Sequence, residues 1–287
     1  MSATRQGTLR QGITRLQAAG VESAHPEAEW LLARLIDVKP LELYLDDRPL
    51  SLETAQQFFD QIDARASGVP LQYLLGDAEF LGLRLTVAPG VFIPRPETEV
   101  IVQAALEILH ERFERLQRPL RLLDVGTGSG CIAISLARAL PACVVVGVEL
   151  SWRALLIAQE NILRHGLTSR THLLQGRWTE ALRGTFDGIV TNPPYVSSRQ
   201  VDRLPLEVRQ EPRLSLDGGH DGLREMARLL EQLPRHLEPG GIIAVECGEG
   251  QADCVAEMAR ASAWSRSIRV LSDLASRPRG VLIIRNE

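Results

Sequence analysis

A glycine-rich turn set between a strand and a helix limits the fold of this chain more than any other feature. Leu122-Leu123-Asp124-Val125 reads as a buried strand. It runs into Gly126-Thr127-Gly128-Ser129-Gly130 and then into a helix pattern through Ile132, Ile134, Leu136 and Ala137. Glycines at such a turn let backbone N–H groups approach a ligand closely. A dinucleotide fingerprint places glycines at the first, third and sixth positions. Here the sixth position is Cys131, so the spacing is G-x-G-x-G. The chain then keeps alternating. A strand over Cys143–Val148 ends at Glu149, and a helix carries Ala154, Leu155, Ile157, Ala158 and Ile162. A short strand near Thr171–Leu174 leads to Arg177-Trp178, and Phe186–Thr191 is another. Pro239-Gly240-Gly241 opens a strand over Ile242–Glu246, and two more follow near Ser267–Leu271 and Val281–Ile284. This alternation predicts an α/β fold with a mainly parallel, doubly wound sheet.

Asn192-Pro193-Pro194-Tyr195 follows the strand Phe186–Thr191. Two prolines cannot continue a sheet ladder, and each restricts the residue before it. The chain therefore leaves the strand in a stiff shape, at the carboxyl end where open α/β sheets place ligands. The Asn192 side-chain oxygen and the Pro193 carbonyl are both acceptors, and Tyr195 adds an aromatic wall with a hydroxyl. Such a site suits a planar group bearing an NH₂, either an amide or an exocyclic base amine. Glu149 ends the strand after the glycine turn, at the distance where an acidic residue reaches ribose hydroxyls.

The first part of the chain has another pattern. Residues 1 to about 75 read as short helices. Leu9, Ile13 and Leu16 share a face. Pro26 sits at a helix start whose apolar face continues through Trp30, Leu31, Leu35 and Ile36. A further helix follows Ser51, carries Leu52, Ala55, Phe58, Phe59 and Ile62, and ends near Gly68. From Ala78 the pattern becomes strand-like, with Leu81, Leu83, Leu85 and Val87 alternating and Pro89-Gly90 marking the turn. Pro96 then opens a helix carrying Val100, Ala104, Leu106 and Leu109. The polar stretch from Val196 to Asp221 is long enough to cover a site or bind a partner.

The 287 residues, 45% of them hydrophobic, are ample for a large core and for two domains. No apolar run reaches the roughly 18 residues that would span a membrane, and Met1–Gly7 has no signal-peptide apolar region, so a cytoplasmic protein is expected. A net charge of −4 gives no global field for nucleic acid. Cysteines 131, 143, 247 and 254 form no C-x-x-C pair, and the histidines show no metal-ligand spacing. No metal is expected.

Together these residues resemble the HemK/PrmC family, the protein-(glutamine-N5) methyltransferases that act on peptide chain release factors. The segments that carry the resemblance are Phe92-Ile93-Pro94-Arg95-Pro96-Glu97-Thr98-Glu99, Asp124 to Gly130, Asn192 to Tyr195, and Glu211-Pro212 leading to Gly218-Gly219-His220-Asp221-Gly222-Leu223. Asn-Pro-Pro-Tyr alone also resembles adenine-N6 methyltransferases of nucleic acid, and a non-catalytic adaptor could keep the glycine turn alone. The Ile-Pro-Arg-Pro-Glu-Thr-Glu segment favours the release-factor family. The resemblance implies a class I S-adenosylmethionine-dependent methyltransferase, Rossmann-like with a seven-stranded sheet, over residues 96–287. It also implies a helical substrate-docking domain over 1–75 and a connecting β-hairpin over 76–95. S-adenosylmethionine would contact Gly126, Thr127, Gly128, Ser129, Gly130, Glu149, Trp178 and Asn192. The glutamine amide of the Gly-Gly-Gln loop would be held by Asn192, Pro193, Pro194 and Tyr195, with Asn192, Pro193 and Tyr195 acting in catalysis. Two positions depart from the family pattern: Arg177 stands where Asp commonly precedes the tryptophan, and Ser276 ends a segment that commonly reads Asp-Leu-Ala-Gly.

Overall fold

A computed structural model describes residues 4–261 and 264–287. Met1, Ser2 and Ala3 of the amino-terminal stretch discussed above lie outside the described residues. The chain forms two compact units. One comprises residues 4–77 together with Pro205–Gln210, and the other residues 78–204 and 211–287.

The first unit is helical. Its elements are α1 (Arg5–Ala18), α2 (Ala24–Leu35), α3 (Leu52–Ala66) and α4 (Leu71–Leu75). Thr4 and Ser51 cap α1 and α3 by accepting from the amides of Gly7 and Thr54. Leu9, Ile13, Leu16, Leu31, Leu32, Phe58 and Ile62 close a shared core. Helix α2 begins at Ala24, with Pro26 in its first turn. Trp30 does not join the apolar face as expected, because it is 52% exposed. It lies two residues, about 200°, round the helix from buried Ala28. Leu52, the first residue of α3, is likewise exposed. Arg65 is buried and pairs with Glu27 and with Glu207 of the 205–210 segment.

The second unit begins with a two-stranded sheet, β1 (Asp77–Phe80) and β2 (Leu83–Thr86). Its turn is Leu81-Gly82, not Pro89-Gly90. Both turn residues have positive φ, 47° and 70°, the requirement of a type I′ turn. A leucine is a poor residue for that backbone, and Glu99 compensates by accepting from the Leu81 amide at 2.8 Å.

Helix α5 (Pro96–Leu116) follows, with proline at its first position. The main sheet contains β3 (Leu120–Val125), β4 (Cys143–Glu149), β5 (Thr171–Gln175), β6 (Phe186–Thr191), β9 (Leu237–Glu246), β10 (Ser265–Ser272) and β11 (Pro278–Arg285). Two short strands, β7 (Val196–Ser197) and β8 (Asp217–Gly219), pair apart from it. Helices α6 (Cys131–Ala139), α7 (Trp152–Arg164), α8 (Ser198–Val201), α10 (Arg224–Gln232) and α11 (Ala252–Arg260) belong to this unit, while α9 (Leu206–Arg209) belongs to the first.

The sheet order is β10-β11-β9-β6-β3-β4-β5, the seven-stranded sheet of class I methyltransferases. β3, β4, β5, β6 and β9 are parallel, while β11 runs antiparallel to β9 and β10 antiparallel to β11. One face packs Leu122, Val145, Ile242 and Ala244 against α5 and α6, and the other packs Leu123, Ile189, Ile243 and Val245 against α10 and α11. β9 starts earlier than its apolar run. Pro239-Gly240-Gly241 sit inside it, in an irregularity between the pairs Phe186–Leu237 and Gly188–Ile242. All six residues of β6 are buried, Asp187 included. Its carboxylate is held by Arg112, Arg118 and the Arg121 amide.

Candidate functional site

Strand register assembles the site. Val125 pairs with Val148 on one side and with Thr191 on the other, and Thr191 pairs with Val245. The next residue along each strand is therefore Gly126, Glu149, Asn192 or Glu246. A glycine, an asparagine and two glutamates emerge at the carboxyl ends of neighbouring strands. β3 is also where the chain reverses its direction of travel across the sheet, the switch point at which such folds bind ligands. A cavity of about 450 Å³ opens there.

The glycine turn forms one wall. Gly126, Gly128 and Gly130 all have positive φ. A side-chain carbon at Gly128 would meet only the Gly126 carbonyl, at 3.9 Å, so glycine keeps a cradle beside bare backbone. Gly130 does not line the cavity. It packs tightly instead, with Ile134 and Ala158 at 3.2 and 3.4 Å from an added carbon. Beneath the turn Asp124 is fully buried. Its Oδ2 accepts from Thr127 Oγ1 at 2.5 Å and from the Ala133 amide at 3.0 Å. Its Oδ1 has no partner among the described residues, and burial pushes the carboxyl up to about 7. Asn161 of α7, buried, donates to the Ser129 and Thr86 carbonyls at 2.9 Å and accepts from the Thr86 amide at 2.7 Å. Glu149 accepts from Gly128 at 2.9 Å and from Ser151 at 2.8 Å. A carboxylate has about four lone-pair positions, so it retains acceptor capacity on the cavity side.

After β5 the chain passes Gly176 and Arg177 to Trp178, all on the cavity wall. Trp178 has φ 49°, an unusual backbone for a bulky residue. Its indole N–H donates to Glu225 at 3.2 Å. Glu225 is itself buried and lies against Arg177, Arg224 and Arg228. Arg177 thus answers a carboxylate brought in by α10.

Asn192, Pro193 and Pro194 line the cavity together with Phe92, Pro94 and Thr98. Asn192 Nδ2 donates to Thr98 Oγ1 at 3.0 Å. Tyr195, expected to face the amide, is not on the cavity wall. Its hydroxyl donates to Glu246 at 3.0 Å, and burial beside Glu246 raises its pKa. The long segment after Tyr195 closes around this loop. A side chain on Gly218 would strike the Gly222 and Pro194 carbonyls at 2.5 and 2.7 Å. Glu211, buried, accepts from the Ile93 amide at 3.0 Å and binds Arg95. Leu214, Ser215 and Asp217 reach the cavity wall. Thr98, Asn161, Glu225 and Glu246 are given no site role by the sequence. All four act through contacts distant along the chain.

Known proteins resemble this chain along its length. The descriptions "PrmC N-terminal domain" and "Methyltransferase small domain" match residues 8–76 and 83–207. A release factor glutamine methyltransferase of Moorella thermoacetica is 43% identical, over 99% of this chain and 99% of its own length. One of Geobacter sulfurreducens is 44% identical over 85% and 84%. Among solved structures, a methyltransferase from Pyrococcus furiosus aligns with TM-score 0.52 at 19% identity, covering 72% of this chain and 91% of that one. The hMettl16 catalytic domain, solved with a 3'UTR hairpin, aligns with TM-score 0.58 at 16% identity, covering 78% and 81%. These two share the fold.

Proposed function

The chain belongs to the release factor glutamine methyltransferase family, and we propose that it transfers a methyl group from S-adenosylmethionine to the side-chain nitrogen of the glutamine in a release factor's Gly-Gly-Gln loop. The observation that carries this reading is the pair of acceptors on the cavity wall. Asn192 turns its NH₂ toward Thr98, which leaves its oxygen for a ligand. Among the described residues no donor reaches the Pro193 carbonyl. Asn192 and Pro193 both line the cavity, and two such acceptors suit the two N–H bonds of a primary amide.

The residues on the wall fit the cofactor. The glycine turn brings bare backbone to the cavity, Glu149 offers acceptors for ribose hydroxyls, and Trp178 offers an aromatic face for adenine. When bound, S-adenosylmethionine supplies an activated methyl on a sulfonium, so the cofactor carries the difficult chemistry.

The protein's own work is then orientation. An amide nitrogen is a weak nucleophile because its lone pair is delocalised into the carbonyl. Asn192 and Pro193, each accepting one N–H, aim the remaining lone pair along a single line. The same acceptors stabilise positive charge as it develops on nitrogen. An N-protonated amide is strongly acidic, so its proton leaves to water or a backbone oxygen without a dedicated base. Residues 1–75 dock the release factor, and binding energy from there positions the loop. No helix among the described residues is long and apolar enough to cross a membrane. We place the enzyme with its substrate in the cytoplasm.

The adenine-N6 alternative draws on Asn-Pro-Pro-Tyr alone, and the full-length relatives do not favour it. Side-by-side transfer of labelled methyl into purified release factor and into nucleic acid decides between them. Label in the Gly-Gly-Gln peptide supports the proposal, and label confined to nucleic acid defeats it.

A further inference from the structure

Behind the cavity wall a buried chain of hydrogen bonds runs from Asn192 to Tyr195 through two residues with no assigned role. Asn192 Nδ2 donates to Thr98 Oγ1 at 3.0 Å, Thr98 Oγ1 donates to Glu246 Oε2 at 2.5 Å, and Tyr195 Oη donates to Glu246 Oε1 at 3.0 Å. Thr98 and Glu246 are 2% and 1% exposed, so no water competes for these bonds. An ionised carboxylate only accepts. Thr98 has one hydroxyl proton, and giving it to Glu246 leaves the oxygen able only to accept from Asn192. The NH₂ end of the Asn192 carboxamide must therefore face Thr98, and the oxygen must face away. Tyr195 occupies the other carboxylate oxygen and keeps the polarity of the chain fixed.

We propose that Thr98 and Glu246 are positioning residues that lock the Asn192 carboxamide with its oxygen toward the substrate amide, and that methyl transfer depends on Glu246 being ionised. This rests on the proposed glutamine methyltransferase reading. A flipped Asn192 would present its own NH₂ to the substrate's NH₂, donor against donor, and would lose the acceptor that aims the lone pair.

The device is sensitive to protons. Burial pushes Glu246 up to about 7, Thr98 and Tyr195 oppose that by donating to it, Glu97 of α5 adds to it and Arg279 of β11 counters it. Arg279 is in turn held by Asp273, the Arg95 charge acts on Tyr195, and Cys131 of α6 and Cys247 feel the Glu246 charge. A protonated Glu246 can donate to Thr98 Oγ1. Thr98 is then free to donate to Asn192, and the flipped carboxamide becomes equally well satisfied.

The test uses the full-length enzyme with intact release factor. Thr98→Val removes the hydroxyl at constant shape, and kcat should fall about 10-fold or more, the value of one oriented hydrogen bond. Cofactor affinity by calorimetry should stay within about 2-fold, because only a transition-state contact is lost. Thr98→Ser should restore kcat. Wild-type kcat should fall as pH drops through about 7, and Glu246→Gln, which cannot change charge, should lose that limb. The side-chain NH₂ resonances of Asn192 give a readout without turnover. They should be protected from exchange in the wild type at high pH and lose protection in Thr98→Val. Unchanged kcat in Thr98→Val, failure of serine to rescue, or an unprotected Asn192 NH₂ in the wild type overturns the proposal. If the wild type does not methylate release factor, the functional reading fails, while the NH₂ protection still decides the positioning claim.

Discussion

Replacing Glu149 by glutamine tests the cofactor wall with little change of shape. The carboxylate accepts two backbone amides, Gly128 at 2.9 Å and Ser151 at 2.8 Å, one on each oxygen. Glutamine has one oxygen and one NH₂. Whichever way it turns, an NH₂ meets a backbone N–H. The variant therefore loses a hydrogen bond to a charged acceptor, about 1.5–3 kcal/mol. Gly128 is the residue whose missing side chain keeps the cradle open, so the loss falls on the ligand-facing turn. On the proposed function it also removes an acceptor for the ribose. At 1.4 kcal/mol per factor of ten, S-adenosylmethionine affinity should weaken about 10- to 100-fold. Glu149→Ala should fall in the same range. Titration calorimetry with S-adenosylmethionine measures this, and a thermal melt of each variant checks that the fold is intact. Affinity within about 2-fold of wild type in both variants would refute the role given to Glu149.

Other consequences follow from the same contacts. Asp187→Ala strands Arg112, which is 5% exposed, and should destabilise the fold by about 3–5 kcal/mol in urea unfolding. Burial raises the Asp187 pKa, but hydrogen bonds from Arg118, the Arg121 amide and Arg112 outweigh it and hold it below the usual range. Its contribution is present above the ordinary carboxylate range and is lost as pH falls. Glu246 has the opposite sign: burial lifts it from 4.5 to about 7, so its contribution is present below 4.5 and is lost as pH rises through 7. Glu246→Gln should therefore melt progressively higher than wild type between pH 5 and 8, by about 3 kcal/mol at most. Arg177→Asp would restore the commoner family pair yet remove the guanidinium that meets Glu225 at 3.6 Å and put a second negative charge in its neighbourhood. It should weaken S-adenosylmethionine by about 3- to 10-fold, an effect of partly exposed like charges, and Arg177→Asp with Glu225→Gln should recover it.

Local chemistry made much of this architecture readable before any coordinates. Gly126 to Ser129 and Asn192 to Pro194 announce themselves because a backbone constraint and the cavity wall fall on the same few residues. What stayed hidden depends on distance along the chain or on tertiary override. Thr98 reads as an ordinary helix-start residue until β9 brings Glu246 to it. The hairpin turn at Leu81-Gly82 was illegible because leucine at positive φ defies local preference, and it is tolerated through Glu99. Tyr195 was placed on the cavity wall by its neighbours, whereas buried Glu246 draws its hydroxyl away. Pro205–Gln210 gives no sign in composition that it joins the helical unit, where Glu207 meets Arg65.

Asn192→Ala, assayed for methyl transfer to intact release factor and for S-adenosylmethionine binding on the same preparation, tests the central claim most directly. Wild type should place one methyl on the glutamine side-chain nitrogen of the Gly-Gly-Gln loop, as read by peptide mapping. The variant should lose that transfer while keeping cofactor affinity much closer to wild type than the Glu149 variants do. Full activity in Asn192→Ala, a methyl on any other residue, or a cofactor loss equal to that of Glu149→Ala would contradict it.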